Sequence, residues 1–171
     1  MGFQVRRAVE SDLPRLPGIE RSAARAFRKL GMDRIADEPP SPVSFHRDVL
    51  ETGILWVAEK PAALLVGFLA MIRIDGEAHV KEVSVAQDHA RQGVGRSLMA
   101  AAIEWARGQG FPSVTLTTFR TVAMNGPFYR SLGFREIPAD QMGPELAAIR
   151  RNEEERGLDE WPRVAMRLRL C

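Results

Sequence analysis

The residues best suited to chemistry lie at positions 83–99, where a short apolar strand leads through a polar turn into an amphipathic helix. Gly93 and Gly95 fall at the start of that helix, between Arg91 and Arg96. The first backbone N–H groups of a helix have no partner within it and carry partial positive charge. Glycine lets an anion approach them because no Cβ stands in the way. The pattern predicts a binding site for a phosphate group.

The same stretch excludes two better-known phosphate-binding loops. A P-loop needs a lysine and then a serine or threonine after its second glycine, and neither is present here. A dinucleotide-binding fingerprint needs a third glycine where this chain has Leu98. A single Gly-X-Gly also occurs at ordinary strand–helix connections, so the turn by itself does not identify the ligand.

A second, more specific motif spans residues 125–134 and has the sequence NGPFYRSLGF. It predicts a helix that carries Tyr129, the only tyrosine of the chain, and ends at a Gly-Phe pair before a new strand. A buried tyrosine commonly bonds a backbone carbonyl, and an asparagine such as Asn125 commonly caps a helix. Structural roles for both residues therefore stay open alongside functional ones.

The pattern of apolar and turn-forming residues predicts the helices and strands that position these motifs. It predicts a loop at 29–42 and a hairpin turn at Asp75-Gly76. The predicted strands are 3–9, 54–59, 64–74, 78–85, 113–118, 134–137 and 164–170. The predicted helices are 11–27, with Ser11 and Asp12 as caps, then 43–50, 93–108, 122–132 and 144–156. Strands and helices alternate along much of the chain, so we expect a mixed sheet covered on both faces.

Net charge, cysteine count and the length of apolar runs exclude several classes of protein. The 171 residues carry a formal net charge of +2, which favours neither nucleic acid nor an acidic membrane as a partner. The single cysteine, Cys171, excludes an internal disulfide and a cysteine zinc cluster. No apolar run reaches membrane-spanning length and the N-terminus lacks the apolar core of a signal peptide. We therefore expect a cytoplasmic protein with no membrane segment.

The two motifs, in this order, resemble those of the GNAT superfamily of N-acetyltransferases. That family has Gln/Arg-x-x-Gly-x-Gly/Ala at the start of a central helix, followed by Asn-x-x-Phe-Tyr-x-x-x-Gly-Phe. Ala90 occupies the Gln/Arg position here, which leaves Arg91 or backbone groups alone to contact the phosphate. The resemblance covers residues 3–134, and the helix at 144–156 is expected to be an insertion before the last strand.

The resemblance implies a single α/β (α+β) domain over residues 1–171, with a mixed, mostly antiparallel sheet of about seven strands. Helices flank the sheet on both faces, and the fourth and fifth strands, 78–85 and 113–118, diverge to leave an opening. It also implies acetyl-CoA as co-substrate and no metal. The expected amine acceptor is a small molecule or a peptide. Whether the protein forms a homodimer is left open.

The resemblance further assigns the residues that hold acetyl-CoA. Backbone groups of Val83 and Val85 pair with the pantetheine amides as a neighbouring strand would. Asn125 lies along the pantetheine arm, and Tyr129 lies near the thioester sulfur. The pyrophosphate is bound by the turn that comprises Arg91, Gln92, Gly93, Val94, Gly95 and Arg96.

Acetyl transfer needs a general acid and a route for the amine's proton. An alkylamine attacks only when neutral, and its pKa is about 10.4. The leaving thiolate, of pKa about 8.5, can take a proton from a phenol of pKa about 10, a role that suits Tyr129.

His79 and Glu82 are the candidate bases, and each could act through water. They face the same side of the strand only if a bulge lies between them. A solvated histidine and a solvent-exposed or arginine-paired glutamate are the ordinary alternatives. His46 and His89 fall in a helix and a turn that the pattern predicts to be exposed, and neither is assigned a role.

Three functional interpretations follow, and the acceptor is the least determined element. The leading one is acetylation of a primary amine. The second interpretation keeps the fold but transfers a longer acyl group or uses a hydroxyl as acceptor. The third is a catalytically silent protein that binds acyl-CoA as a sensor, which the alanine at position 90 favours. Residues 29–42 and 43–50 are expected to line the acceptor side, where Asp33, Asp37 and Glu38 could attract a cationic amine.

Overall fold

The computed structural model describes residues 2–170, so Cys171 lies outside the described part of the chain. Seven strands form one mixed sheet in the order β1-β2-β3-β4-β5-β7-β6, which confirms the predicted sheet. The strands are β1 Gln4–Arg7, β2 Ile54–Lys60, β3 Leu64–Ile74, β4 Glu77–Val85, β5 Ser113–Phe119, β6 Arg135–Glu136 and β7 Arg163–Arg169.

Six α-helices and several short 3-10 helices connect the strands within the described residues. None of these helices combines the length and the hydropathy that crossing a bilayer requires. The α-helices are α1 Leu16–Ala24, α2 Asp33–Ala36, α3 Val43–Thr52, α4 Val94–Gly108, α5 Gly126–Ser131 and α6 Pro144–Glu155. The 3-10 helices are Glu10–Arg15, Arg25–Leu30, Gln87–His89, Ala139–Gln141 and Leu158–Glu160.

The first of two compact units comprises the chain up to Ile72 together with Val80–Glu104. Its strands β1, β2 and β3 are antiparallel neighbours. Side chains of α1 and α3 pack on one sheet face, in a core that includes Leu16, Ile19, Val49, Val57 and Phe68. On the other face α4 approaches Gly67 so closely that an added Cβ would lie 3.0 Å from Val94 Cγ1. Helices therefore cover both faces of this unit, as predicted.

The second unit comprises Arg73–His79 and the chain from Trp105 onwards. Its strand β7 is antiparallel to both β5 and β6. The first residues of β4 pair in parallel with β5, Ala78 opposite Val114 and His79 opposite Thr115. The opening expected between β4 and β5 stays a prediction, as does a single domain over residues 1–171.

Asp75 connects the β3–β4 turn to the inserted helix α6. Both turn residues are left-handed, Asp75 with φ +50° and Gly76 with φ +75°, as the predicted Asp-Gly hairpin requires. The Asp75 carboxylate accepts the backbone N–H groups of Glu145 at 3.0 Å and Leu146 at 2.9 Å. A side chain from a distant turn thus caps α6, whose preceding residue, Gly143, has none to offer.

Three predicted elements differ from the structure. The helix predicted at 11–27 is divided into two 3-10 segments and α1, because Pro17 restarts the helix in its first turn. Asp12 does not precede this helix as its cap; it lies inside the first segment and accepts the Val9 N–H at 2.8 Å. The loop predicted at 29–42 contains α2, which forms because Ile35 becomes buried.

Helix α5 is the third difference, since it starts four residues later than the predicted 122–132. Asn125, with φ −117° and ψ −108°, is not helical. Gly126 then approaches the chain so closely that a Cβ would lie 2.2 Å from the Arg120 carbonyl oxygen. This close approach allows only glycine at the first position of the helix.

Candidate active site

The turn before α4 is open at both of its glycines. Gly93 has φ +83°, and its carbonyl accepts the Ser97 N–H at 3.0 Å, which is the first helical hydrogen bond. The N–H groups of Val94 and Gly95 come earlier and have no partner within the helix. A Cβ at Gly93 would meet nothing within 4 Å, and one at Gly95 only Val85 Cγ2 at 3.8 Å. The backbone at both glycines is therefore open, as the approach of a phosphate requires.

Arg91 gives this turn a second feature typical of an anion site. Its φ of +61° is unusual for a residue with a side chain, and Gly93, two residues later, is also left-handed. Left-handed residues placed so closely turn successive N–H groups towards one side, as in the concave anion sites of other loops. The side chains of Arg91 and Arg96 are exposed, as phosphate binding requires.

Lys60, at the end of β2, contacts this turn, and sequence analysis did not predict the contact. Its Nζ donates to Gln92 Oε1 at 2.7 Å and lies 3.0 Å from His89 Nδ1. Lys60 therefore brings a positive charge to the predicted pyrophosphate turn. No local pattern reveals this contact, because the two residues are 32 positions apart and meet only in the folded chain.

A backbone hydrogen bond at the end of β4 shows which edge of the strand Val83 and Val85 face. The Ala86 N–H donates to the Val66 carbonyl at 2.8 Å, so at this position the chain faces β3. Successive residues of a strand direct their N–H and C=O groups to opposite edges. Val83 and Val85 therefore direct theirs to the edge of β4 that lies away from β3, where an extended ligand can pair with them.

Glu82 also lies in the first unit, and its carboxylate accepts the Ser84 hydroxyl at 2.8 Å. Val85 faces Gly95 of α4, so by alternation Glu82 and Ser84 lie on the opposite face of the strand. Glu82 is half-buried, whereas Ser84 is buried. This glutamate is thus held in one orientation and keeps part of its surface exposed.

His79 belongs to the second unit and is only 1% exposed, so the alternative of a solvated histidine is wrong. Its Nδ1 lies 2.8 Å from Thr115 Oγ1 on the adjacent strand. The bulge that would turn His79 and Glu82 to one face stays a prediction.

The second motif places an unsatisfied acceptor next to the tyrosine helix. Asn125 Oδ1 is buried and has no hydrogen-bond partner among the described residues. Leaving such an oxygen unpaired costs about 1–3 kcal/mol, which a ligand N–H would recover. Tyr129 is buried, with its ring edge-on to Phe128 at 5.2 Å and Phe134 at 5.9 Å. Its ring position is therefore fixed by aromatic packing.

The two motifs offer different groups to a ligand. The turn of the first unit offers N–H groups and cations, which suit phosphates. Asn125 Oδ1, in the second unit, is an acceptor with no donor among the described residues, which suits an amide N–H. CoA contains groups of both kinds, a pyrophosphate and two amide N–H groups. Across residues 2–170 no group of three His, Cys, Asp or Glu side chains is placed to hold a metal ion.

Comparison with known proteins shows the family. An acetyltransferase (GNAT) domain model matches residues 51–136, which is half of the chain. This range contains the turn before α4 and the whole of the Asn125 motif. The chain therefore belongs to the GNAT acetyltransferase family.

Two curated relatives and one solved structure illustrate the similarity. N-acetyltransferase family 8 member 3 of Rattus norvegicus is 29% identical over 108 residues, which cover 60% of this chain and 45% of the relative. N-alpha-acetyltransferase RimI of Mycobacterium tuberculosis is 26% identical over 107 residues, covering 60% and 66%. The chain thus spans less than two thirds of either relative. The PaiA N-acetyltransferase of Thermoplasma acidophilum, solved with coenzyme A, shares the fold, with a TM-score of 0.74 at 15% identity and 99% coverage of both chains.

Proposed function

We propose that this protein transfers the acetyl group of acetyl-CoA to a primary amine by direct attack in a ternary complex. The observation that carries the proposal is the open turn before α4, with N–H groups of Val94 and Gly95 that have no helical partner and a lysine beside it. Acetyl-CoA supplies the activated thioester. Residues of the chain then bind it, orient it and move two protons.

Tyr129 is the proposed general acid, and Glu82 the proposed first acceptor of the amine's proton, directly or through water. Support for Tyr129 is its fixed ring in the family motif, together with the ability of a phenol to protonate a leaving thiolate. Support for Glu82 is its partial exposure, whereas His79 is buried with Nδ1 next to Thr115. His79 remains the second candidate for the base.

The acceptor is proposed to be an amine of a small molecule or a peptide. The mycobacterial relative is named an N-alpha-acetyltransferase, which supports an amine acceptor as a class. A cytoplasmic location and a homodimer are further proposals, to be checked by cell fractionation and by light scattering.

The proposed reaction is tested by offering the protein acetyl-CoA with amino acids, diamines, aminoglycosides and peptides. Release of CoA together with a product heavier by one acetyl group supports it. CoA binding without turnover on any acceptor would instead identify a silent sensor, the interpretation that Ala90 favours. Turnover only with a longer acyl-CoA would assign a different donor to the enzyme. Turnover only with a hydroxyl compound would assign a different class of acceptor.

We expect CoA to raise the melting temperature. A ligand at about 100 times its Kd adds roughly 2.7 kcal/mol to the free energy of unfolding. For a chain of this size each kcal/mol shifts the midpoint by about 2–4 °C, so the total shift is easily measured by calorimetry. An unchanged midpoint in millimolar CoA would contradict both the enzyme and the sensor interpretation.

Lys60→Met should weaken CoA binding about threefold to tenfold, because one positive charge beside the turn is lost. The exposed Lys29, replaced in the same way, is the matched control and should leave the affinity unchanged. The difference should shrink in 1 M salt, where the Debye length falls to about 3 Å. Equal affinities of the two variants at low salt would remove Lys60 from the site. Calorimetric titration with CoA measures the affinity of each variant at low salt and in 1 M salt.

A further inference from the structure

Ser84 of β4 is a buried residue whose hydroxyl has a single use in the structure. The residue is 3% exposed, and its Oγ donates to Glu82 Oε1 at 2.8 Å. Within residues 2–170 the hydroxyl forms no other hydrogen bond. Taking a hydroxyl out of water is costly unless it is bonded, whereas an alanine at the same position carries no such cost. What the hydroxyl adds over an alanine is thus its bond to Glu82.

This bond sets the direction of the Glu82 side chain. Residues two positions apart in a strand lie on the same face, about 6.6 Å from each other along the strand. A glutamate reaches a hydroxyl at that distance by leaning along the strand instead of standing perpendicular to the sheet. The carboxylate is therefore directed from position 82 towards the end of β4, where Val83 and Val85 are proposed to pair with the pantetheine amides.

Direction matters for a proton acceptor, and Glu82 is only half-buried. A glutamate has several staggered rotamers, and packing confines a partly exposed side chain less than a buried one. Ser84 itself is enclosed, so its hydroxyl is held by the strand. An error of about 1 Å in the position of a catalytic group can cost about 10²-fold in rate. A buried donor thus restricts a carboxylate whose exact position matters for the reaction.

We propose that Ser84 is a positioning residue, which holds the Glu82 carboxylate where it receives the proton of the attacking amine. Ser84 acts through Glu82, and the inference rests on the proposed acetyl transfer. As the amine nitrogen bonds to the acetyl carbon, its proton passes to the carboxylate, directly or through a water. The carbon–sulfur bond breaks, and the thiolate of CoA takes a proton from the general acid. The Ser84 hydroxyl keeps its own proton throughout.

A second serine makes the same kind of bond in the other unit and provides a matched control. Ser113 is 2% exposed, and its Oγ donates to Glu77 Oε1 at 2.8 Å. Both residues belong to the second unit, whereas Ser84 and Glu82 belong to the first. Glu77 also accepts from Arg167 at 3.0 Å and has no proposed role in the reaction. Donor, burial and bond length at Ser113 thus match those at Ser84.

Ser84→Ala should lower kcat about tenfold, because Glu82 then adopts orientations other than the productive one. KM for the acceptor and affinity for CoA should stay unchanged. Ser84→Thr keeps the hydroxyl and should retain most of the parental kcat, whereas Ser84→Cys, of similar size but a weak donor, should behave like alanine. Ser113→Ala should keep the parental kcat. Steady-state kinetics with acetyl-CoA and the amine of the panel that is turned over fastest measures both constants.

A double variant separates positioning from a merely structural role. The amide of Glu82→Gln cannot accept the proton, so this change alone should lower kcat by about 10²-fold or more. If Ser84 acts only through the carboxylate, adding Ser84→Ala to Glu82→Gln should lower kcat no further, because residues that act as a unit are not additive. A serine that only stabilises the strand would lower kcat by the same factor in both backgrounds.

The outcomes distinguish this inference from the proposed function. A loss of kcat in Ser84→Ala that is absent from Ser113→Ala and disappears in the Glu82→Gln background supports the positioning role. Parental kcat in Ser84→Ala, or an equal loss in both backgrounds, overturns that role and leaves acetyl transfer intact. Parental kcat in Glu82→Gln removes Glu82 as proton acceptor and the role of Ser84 with it. Absence of turnover by the parent on every amine, with CoA bound, overturns the proposed function and the inference together.

Discussion

Replacing Tyr129 with phenylalanine should lower turnover by about 10²–10⁴-fold and leave CoA binding unchanged, because general acid catalysis is commonly worth that much. The change removes one hydroxyl and keeps the ring between Phe128 and Phe134. The turn proposed to bind phosphate is untouched. Turnover, CoA affinity and melting temperature should be measured together on the same preparation.

The melting temperature separates a catalytic hydroxyl from a structural one. If the hydroxyl only satisfied a buried partner, its removal would cost about 1–3 kcal/mol and turnover would fall only with folding. Phe128→Leu is a suitable control, since it loses an aromatic contact with Tyr129 and leaves the hydroxyl in place. Parental turnover in a stable Tyr129→Phe variant would exclude Tyr129 from the mechanism.

The second large effect is expected at Gly95. Gly95→Val should weaken CoA binding at least about tenfold, or 1.4 kcal/mol, because its side chain fills the space through which a phosphate reaches the helix. The fold should persist, since the new Cβ meets only Val85 Cγ2 at 3.8 Å. Gly93→Val is a poorer test, because φ at Gly93 is +83° and a β-branched residue is strained there.

Gly108→Val at the other end of α4 is the matched control. A Cβ at this position meets nothing within 4 Å, so the effect of the substitution on the fold should be similarly small. Its affinity for CoA should equal that of the parent. Undiminished CoA binding by Gly95→Val, measured by calorimetric titration, would mean that the pyrophosphate is bound elsewhere.

The elements predicted best from sequence were those with local signals. β3 was predicted with the observed bounds, 64–74, because a continuous apolar run ends at an Asp-Gly turn that allows one geometry. α5 was predicted too long, because its start depends on a contact between Gly126 and the Arg120 carbonyl that no periodicity shows. Tertiary contacts, which a single sequence does not display, decided the boundaries of this helix.

The same distinction applies to the candidate site. The glycine turn and the Asn125 motif are each continuous in sequence. The residue types of the turn indicated a phosphate, and the resemblance to a family placed Asn125 along the pantetheine arm. The contact of Lys60 with Gln92 and the burial of His46 beside Glu20 depend on residues far apart in the chain. His46 was expected to lie on an exposed helix, yet its ring is buried against Phe45 of α3 and Phe68 of β3.

The cap that Asp75 provides for α6 has a consequence for the order of folding. A helix of 12 residues is marginal in water by itself, and this one begins after a glycine that offers no side chain to its first N–H groups. The carboxylate that compensates for this lies 70 residues earlier, in a turn that closes within microseconds. The hairpin can therefore form early and locally, whereas α6 must wait for a long loop to close. During synthesis, the last sixth of the chain thus completes its structure on a hairpin that can already be in place.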